Sequence, residues 1–287
     1  MTKIYAKIRK EVIKMKKMIV TMLCASFILC GCGVEKNVKK EAVKETAAQV
    51  ATDYSALDSA GMGWGFVKKK GHAPDISNRE KEMLAKYDGY YIDENAEKVM
   101  YLTFDEGYEN GYTSKILDVL ESTQTPAAFF VTGPYLENQA ELVERMIKNG
   151  HVVGNHTVNH PNLPKQSVET VQKELSGLNA MCEEKYGYTM HYMRPPEGEW
   201  SERVLAVARD MGYKTILWSF AYKDWDINAQ KGKDYAFKQV TPYFHDGAIL
   251  LLHAVSSDNA DALESIINCA KEQGYTFKSL DELGNSQ

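Results

Sequence analysis

The stretch VMYLTFDEGY, residues 99–108, sets the architecture: an apolar run interrupted only by Thr103, then the adjacent acids Asp105 and Glu106, then a glycine. An apolar run without polar alternation is the pattern of a strand buried on both faces, as in a parallel sheet. Six further runs of this kind follow at 127–132, 151–155, 192–194, 215–219, 248–252 and 275–278. Between them lie segments of helical period at 113–122, 141–148, 168–184, 202–211, 235–243 and 262–273. Strand and helix in alternation predict repeated βα units around a parallel sheet, either closed as a barrel or left open.

The reactive side chains fall in a pattern. Asp105, His156, Arg194, Asp224 and His253 each stand at or just beyond the C-terminal end of a different run, the edge on which βα barrels assemble active sites. Of the two acids after Phe104, one can bind a metal while the other stays free as a base, although acidic pairs are also common in loops. In NHTVNHP, residues 155–161, His156 and His160 are four apart, a spacing that suits one metal ion and equally suits a solvated loop. Joined with Glu106 they make a His2Glu set, which predicts one divalent ion, zinc before others.

RPPEGEWS, residues 194–201, puts Arg194 at a strand end ahead of a proline-stiffened turn, with Ser201 as a helix N-cap; a surface ion pair is the plainer use of that arginine. WSFAYKDW, residues 218–225, ends in Asp224 and Trp225, a pairing found in sugar grooves, where a core plug is the alternative for the tryptophan. ILLLH, residues 249–253, places His253 straight after an apolar strand, so the active edge competes with a core histidine.

Taken in this order, TFDEGY, NHTVNHP, RPPEGEWS, WSFAYKDW and LLLHAVS resemble the five motifs of the polysaccharide deacetylases of carbohydrate esterase family four, over about residues 98–283. The flanking text GWGF, DGYYID, TFDEGYENGYT, NAQKGKDYAF and HAVSSDNADAL is most similar to the delta-lactam-biosynthetic de-N-acetylases, which act on muramic acid in spore-cortex peptidoglycan. The resemblance implies an α/β fold, a deformed (β/α) barrel with about seven parallel strands and a short N-terminal extension. It implies Asp105 as base, Arg194 holding that base, and His253 as acid with Asp224 as its partner. Glu106, His156 and His160 would be the metal ligands, and Tyr108, Pro196, Glu197, Lys223 and Trp225 the sugar contacts. Glu106 stands where most of the family has Asp, and Ala221 where an acid is common in the fourth motif. Other readings are a deacetylase of an N-acetylglucosamine polymer or O-acetyl xylan, and a non-catalytic glycan-binding derivative.

Toward the N-terminus, seven Lys and Arg residues between Lys3 and Lys17 precede an apolar run at 18–30, as in a secretory signal. That run is shorter than the roughly 20 residues of a spanning helix. It ends in LCGC, residues 29–32, which resembles a lipoprotein box, so Cys32 is expected to carry lipid and hold the protein on the outer face of the membrane. An ordinary signal or an uncleaved anchor would export the protein equally. Residues 33–54 read as a tether. Residues 55–97, with Trp64, Phe66, Tyr87, Tyr90 and Tyr91, read as an N-terminal extension packed on a catalytic domain at 98–283. Of five cysteines only Cys182 and Cys269 lie beyond the targeting segment, so no disulfide framework is indicated. A net charge of -5 gives no broad cationic surface for nucleic acid, and a monomer acting on peptidoglycan is expected.

Overall fold

The computed structural model describes residues 52–284; the expected signal, the expected lipobox with Cys32 and nearly all of the expected tether lie outside them. Ten strands are present among the described residues: β1 (Met62–Gly63), β2 (Gly89–Tyr90), β3 (Val99–Glu106), β4 (Ala128–Val131), β5 (Val152–Asn155), β6 (Tyr192–Met193), β7 (Glu199–Trp200), β8 (Lys214–Ile216), β9 (Ala248–His253) and β10 (Thr276–Phe277). The helices are α1 (Asn78–Lys86), α2 (Thr113–Ser122), α3 (Gly133–Asn138), α4 (Ala140–Lys148), α5 (Val168–Tyr186), α6 (Glu202–Asp210), α7 (Lys233–Val240) and α8 (Ser257–Glu272).

Every run expected to be a strand is one, and β2 joins them as an eighth parallel strand. The order is β10, β3, β4, β5, β6, β8, β2, with β9 on the other edge of β3. Past β8 the chain swings over to β9: Phe220 bridges Leu250, with Ser219 N donating to Ile249 O at 3.0 Å and Leu251 N to Phe220 O at 2.9 Å. This bridge and that of Ile92, just past β2, to Ala248 draw the two ends of the sheet together into the deformed barrel.

Side-chain alternation along β3 separates two cores. Met100, Leu102 and Phe104 pack outward among the helices, with Ile116 and Leu117 of α2. Val99 and Tyr101 pack inward with Phe130, Ile216 and Ile249. The odd positions of β3 therefore face the barrel axis, and Asp105 inherits that face. The segment before β3 forms a third core, in which Trp64, Tyr87 and Tyr91 pack with Trp200, Leu205 and Leu217.

Candidate active site

Asp105 and His253 are register partners across β3 and β9, and His156 and Arg194 are the first residues after β5 and β6. Four strand ends therefore deliver four reactive side chains to one edge. They meet at a cleft of about 600 Å³ lined by Asp105, Tyr108, His156, Asn159, His160, Trp225 and His253 among others.

Arg194 is wholly buried and is the hub of the floor. Its Nη1 donates to Asp105 Oδ1 at 2.7 Å, its Nη2 to Thr103 Oγ1 at 2.9 Å and its Nε to the Ile216 carbonyl at 2.9 Å. The guanidinium also lies over the Phe130 ring, 4.2 Å from its centroid. Burial pushes the Asp105 carboxyl up, but the Arg194 guanidinium first, with the neighbouring His156 and His253 imidazoles, outweighs it and holds the group below the usual carboxylate range. Asp105 is thus an anion with Oδ1 engaged by arginine, and its Oδ2 lies 3.7 Å from His156 Nε2.

His156 Nδ1 lies 2.8 Å from the Arg194 carbonyl. A carbonyl only accepts, so Nδ1 carries the proton and Nε2 keeps its lone pair. Burial lowers this imidazole to about 4, which keeps it neutral at pH 7. Its ring meets that of His160 edge-on, with centroids 4.9 Å apart. The loop carrying both is held by three side chains: Asn155 Oδ1 accepts from Thr157 N, Thr157 Oγ1 from His160 N, and Glu174 of α5 accepts from both the backbone and the side chain of Asn159. Thr157 and His160 both have positive φ, the kind of backbone strain that clusters at functional sites.

Opposite Asp105, His253 Nδ1 is 2.8 Å from Asp224 Oδ1, and His253 N donates to Asp224 Oδ2 at 2.9 Å. Burial lowers the His253 imidazole, while Asp224 and Asp105 more than reverse this and raise it above an ordinary histidine. Its Nε2 is left for the cleft.

The expected sugar contacts divide. Tyr108 and Trp225 line the cleft and are each about half exposed. Pro196, Glu197 and Lys223 lie outside the lining. Pro196 is buried, Glu197 is exposed and accepts from Asn162 Nδ2 at 3.2 Å, and Lys223 covers the Trp225 ring at 5.0 Å while pairing with Asp226 at 3.3 Å. Glu197 sits at φ 61°, and a Cβ on the next residue, Gly198, would lie 2.7 Å from the Trp218 ring. That turn is pinned from outside, by the antiparallel pair β1–β7 and by Trp64 N donating to the Gly198 carbonyl at 2.9 Å.

Glu106 does not join the histidines. As the even neighbour of Asp105 it falls on the helix-facing side of β3, wholly buried, with neither carboxylate oxygen hydrogen-bonded. Burial, then Glu109 and Asp105, push its carboxyl well above the usual range, which favours the neutral acid. Among the described residues no three His, Cys, Asp or Glu side chains come together as a metal cage. The Glu106, His156 and His160 set does not fit an ion in this arrangement.

Thr103, Glu174 and Asn259 serve the site without having been singled out in the sequence. Thr103 alone left a trace there, as the one polar residue in the apolar part of its strand.

A polysaccharide deacetylase profile matches residues 93–216. The chain is 44% identical over 238 residues to the peptidoglycan-N-acetylmuramic acid deacetylase PdaA of Bacillus subtilis, covering 81% of this chain and 89% of that protein. It is 48% identical over 231 residues to an uncharacterized 30.6 kDa protein of Geobacillus stearothermophilus, covering 80% and 87%. The structure of Bacillus subtilis PdaA, a family 4 carbohydrate esterase, superposes with a TM-score of 0.77 over 79% of this chain and 98% of that one. A family 4 carbohydrate esterase from Bacillus anthracis, 40% identical, gives 0.69 over 81% and 100%.

Proposed function

Because this chain belongs to the polysaccharide deacetylase family, we propose that it hydrolyses N-acetyl groups on peptidoglycan glycan strands, taking N-acetylmuramic acid as its sugar, en route to the muramic delta-lactam of spore cortex. The observation that carries the mechanism is the opposed pair: an anionic Asp105 and a protonatable His253, register partners on adjacent strands that line one cleft.

Asp105 takes the proton of the attacking water as the water oxygen bonds to the acetyl carbon. Arg194 keeps Asp105 ionised and aimed, so the base is ready before substrate arrives. The C–N bond then breaks. An amine is a poor leaving group, so His253, charged through Asp224, gives its Nε2 proton to the departing nitrogen, leaving acetate and a free amino sugar. The Glu197 amide in its strained turn is the candidate donor to the oxyanion. Trp225 and Tyr108 give the sugar an apolar platform at the mouth, and Lys223 beside Trp225 is the cation assigned to the lactyl carboxylate. Incubation of the protein with amidase-treated and untreated peptidoglycan, read by muropeptide mass spectrometry, tests the reading. Loss of an acetyl mass from muramic acid is the expected result, and loss from glucosamine alone would overturn the sugar assignment.

Family members are metal-dependent in general. Here the histidine pair is the part of the zinc set that faces the cleft, and no step is drawn through an ion. We expect elemental analysis to show bound metal reduced by His156→Ala and unchanged by Glu106→Gln; loss of metal in Glu106→Gln would restore Glu106 as a ligand.

No helix among the described residues is long and apolar enough to cross a membrane. We assign membrane attachment to lipid on Cys32, and the working protein to a monomer on the outer face. Cys32→Ser should then release the protein from the detergent phase or leave an unprocessed precursor; partitioning and migration like wild type would refute the anchor.

A further inference from the structure

The Asp224–His253 pair is itself held by a residue outside the five motifs. Asn259 lies wholly buried in the first turn of α8. Its Nδ2 donates to Asp224 Oδ2 at 2.6 Å and to the His253 carbonyl at 3.2 Å, and its Oδ1 accepts from Tyr222 OH. The amide orientation follows from the partners: the carboxylate and the carbonyl can only accept, and the tyrosine hydroxyl supplies the donor on the other side.

Three donors therefore surround the Asp224 carboxylate, and two of them belong to His253 itself. Asn259 supplies the third, from a different element. Without it Asp224 Oδ2 keeps only the His253 backbone N–H, and the carboxylate is free to rotate away from Nδ1.

The same helix start anchors the loop that brings Asp224 and Trp225 to the cleft. Gln230 Nε2 donates to the carbonyls of Asp224 and Asp226 at 3.1 and 2.9 Å, and its Oε1 accepts from Ser256 Oγ at 2.7 Å and Asp258 N at 3.1 Å. The Asp258 carboxylate accepts from Lys231 N at 2.6 Å and Gly232 N at 2.7 Å.

We propose that Asn259 is a positioning residue for the proton-donating step: by fixing the Asp224 carboxylate against His253 Nδ1, it aims and sustains the imidazole that protonates the leaving amine. This deepens the function proposed above and rests on His253 as the acid. Asn259 touches neither substrate nor the reacting atoms; it acts through Asp224.

The test uses the full chain and the variants Asn259→Leu, Asn259→Asp and Tyr222→Phe. Asn259→Leu keeps the branched shape and removes both donor bonds, together with the acceptor for Tyr222 OH. It should lower kcat about 10- to 100-fold with KM changed less than about threefold, since the loss concerns the transition state and not sugar binding. The alkaline limb of the pH profile should move to lower pH, because of the two carboxylates that raise the His253 imidazole, Asp224 and Asp105, the stronger has been loosened while Arg194 still opposes them. Asn259→Asp keeps the size and the Tyr222 bond but turns an oxygen toward Asp224, and should be impaired as well. Tyr222→Phe leaves both N–H bonds in place and should stay within about threefold of wild type. Titration of the His253 imidazole by NMR reads the proposal without substrate: its midpoint should fall in Asn259→Leu. A folded Asn259→Leu protein with wild-type kcat and an unmoved His253 titration would overturn the proposal, and if that variant does not fold, the same result in Asn259→Asp does so. Failure of the wild type on every acetylated glycan would instead overturn the function, leaving the NMR comparison to decide on Asn259.

Discussion

Turnover falls at least about a hundredfold in both Asp105→Asn and His253→Ala, with affinity for the glycan retained, if the opposed pair is the proton-transfer machinery. Asparagine keeps the shape of Asp105 and its contact with Arg194, and removes the basic oxygen. Alanine at 253 leaves the amine to depart unprotonated, with Asp224 still held by Asn259. The platform aromatics are untouched, so Trp225→Ala is the contrasting variant, raising KM more than it lowers kcat. The wild-type pH profile should be bell-shaped. Its acidic limb lies below the range of ordinary carboxylates because Arg194 favours ionised Asp105. Its alkaline limb lies above an ordinary imidazole because Asp224 favours protonated His253. The two groups also feel one another, so the limbs belong to the pair. Wild-type rates in both variants would discard the mechanism, and a catalytically silent wild type that still binds glycan would favour a binding protein.

Arg194→Met should cost about 3–5 kcal/mol of stability, because it strands the Asp105 carboxylate in a site built around its counter-ion. For a domain of this size that is a fall of about 6–20 °C in Tm, read by calorimetry. Adding Asp105→Asn to Arg194→Met removes the stranded charge, so the double variant should recover most of the lost stability and none of the activity. A single variant as stable as wild type would show that the buried pair is not a structural element. The pH dependence follows from the sign of the shift. The Asp105 carboxyl is lowered in the folded protein, so its contribution is present above the unfolded carboxylate value and is lost as pH falls through the folded one. The gap between wild type and Arg194→Met should therefore narrow in acid.

How much of this was legible beforehand depends on whether a residue's role is local. The seven apolar runs and the helical segments between them determined the βα order, because a strand buried on both faces must be apolar throughout. The placing of Asp105, His156, Arg194 and His253 at strand ends followed from the same runs, since each motif begins where its run stops. The expected signal and lipobox rest on the linear chain alone, since they lie outside residues 52–284.

Three matters were decided only in three dimensions. Tyr90 and its neighbours read as part of an extension, yet β2 pairs with β8, because a two-residue strand has too few residues to show a period. Glu106 read as a ligand because it adjoins Asp105, but adjacent residues of a strand point to opposite faces, and β3 continues through Glu106, so the acid turns to the helices and away from His156 and His160. Asn259 carried no signal beyond its place in HAVSSDNADAL and at a helix start, where Ser256 caps α8 and accepts from Asn259 N. Its amide reaches Asp224, 35 positions earlier, only because the loop before α7 folds back over that helix terminus. Sequence spacing can state which groups a strand delivers to the active edge; the pleat and the return of distant loops determine which of them meet.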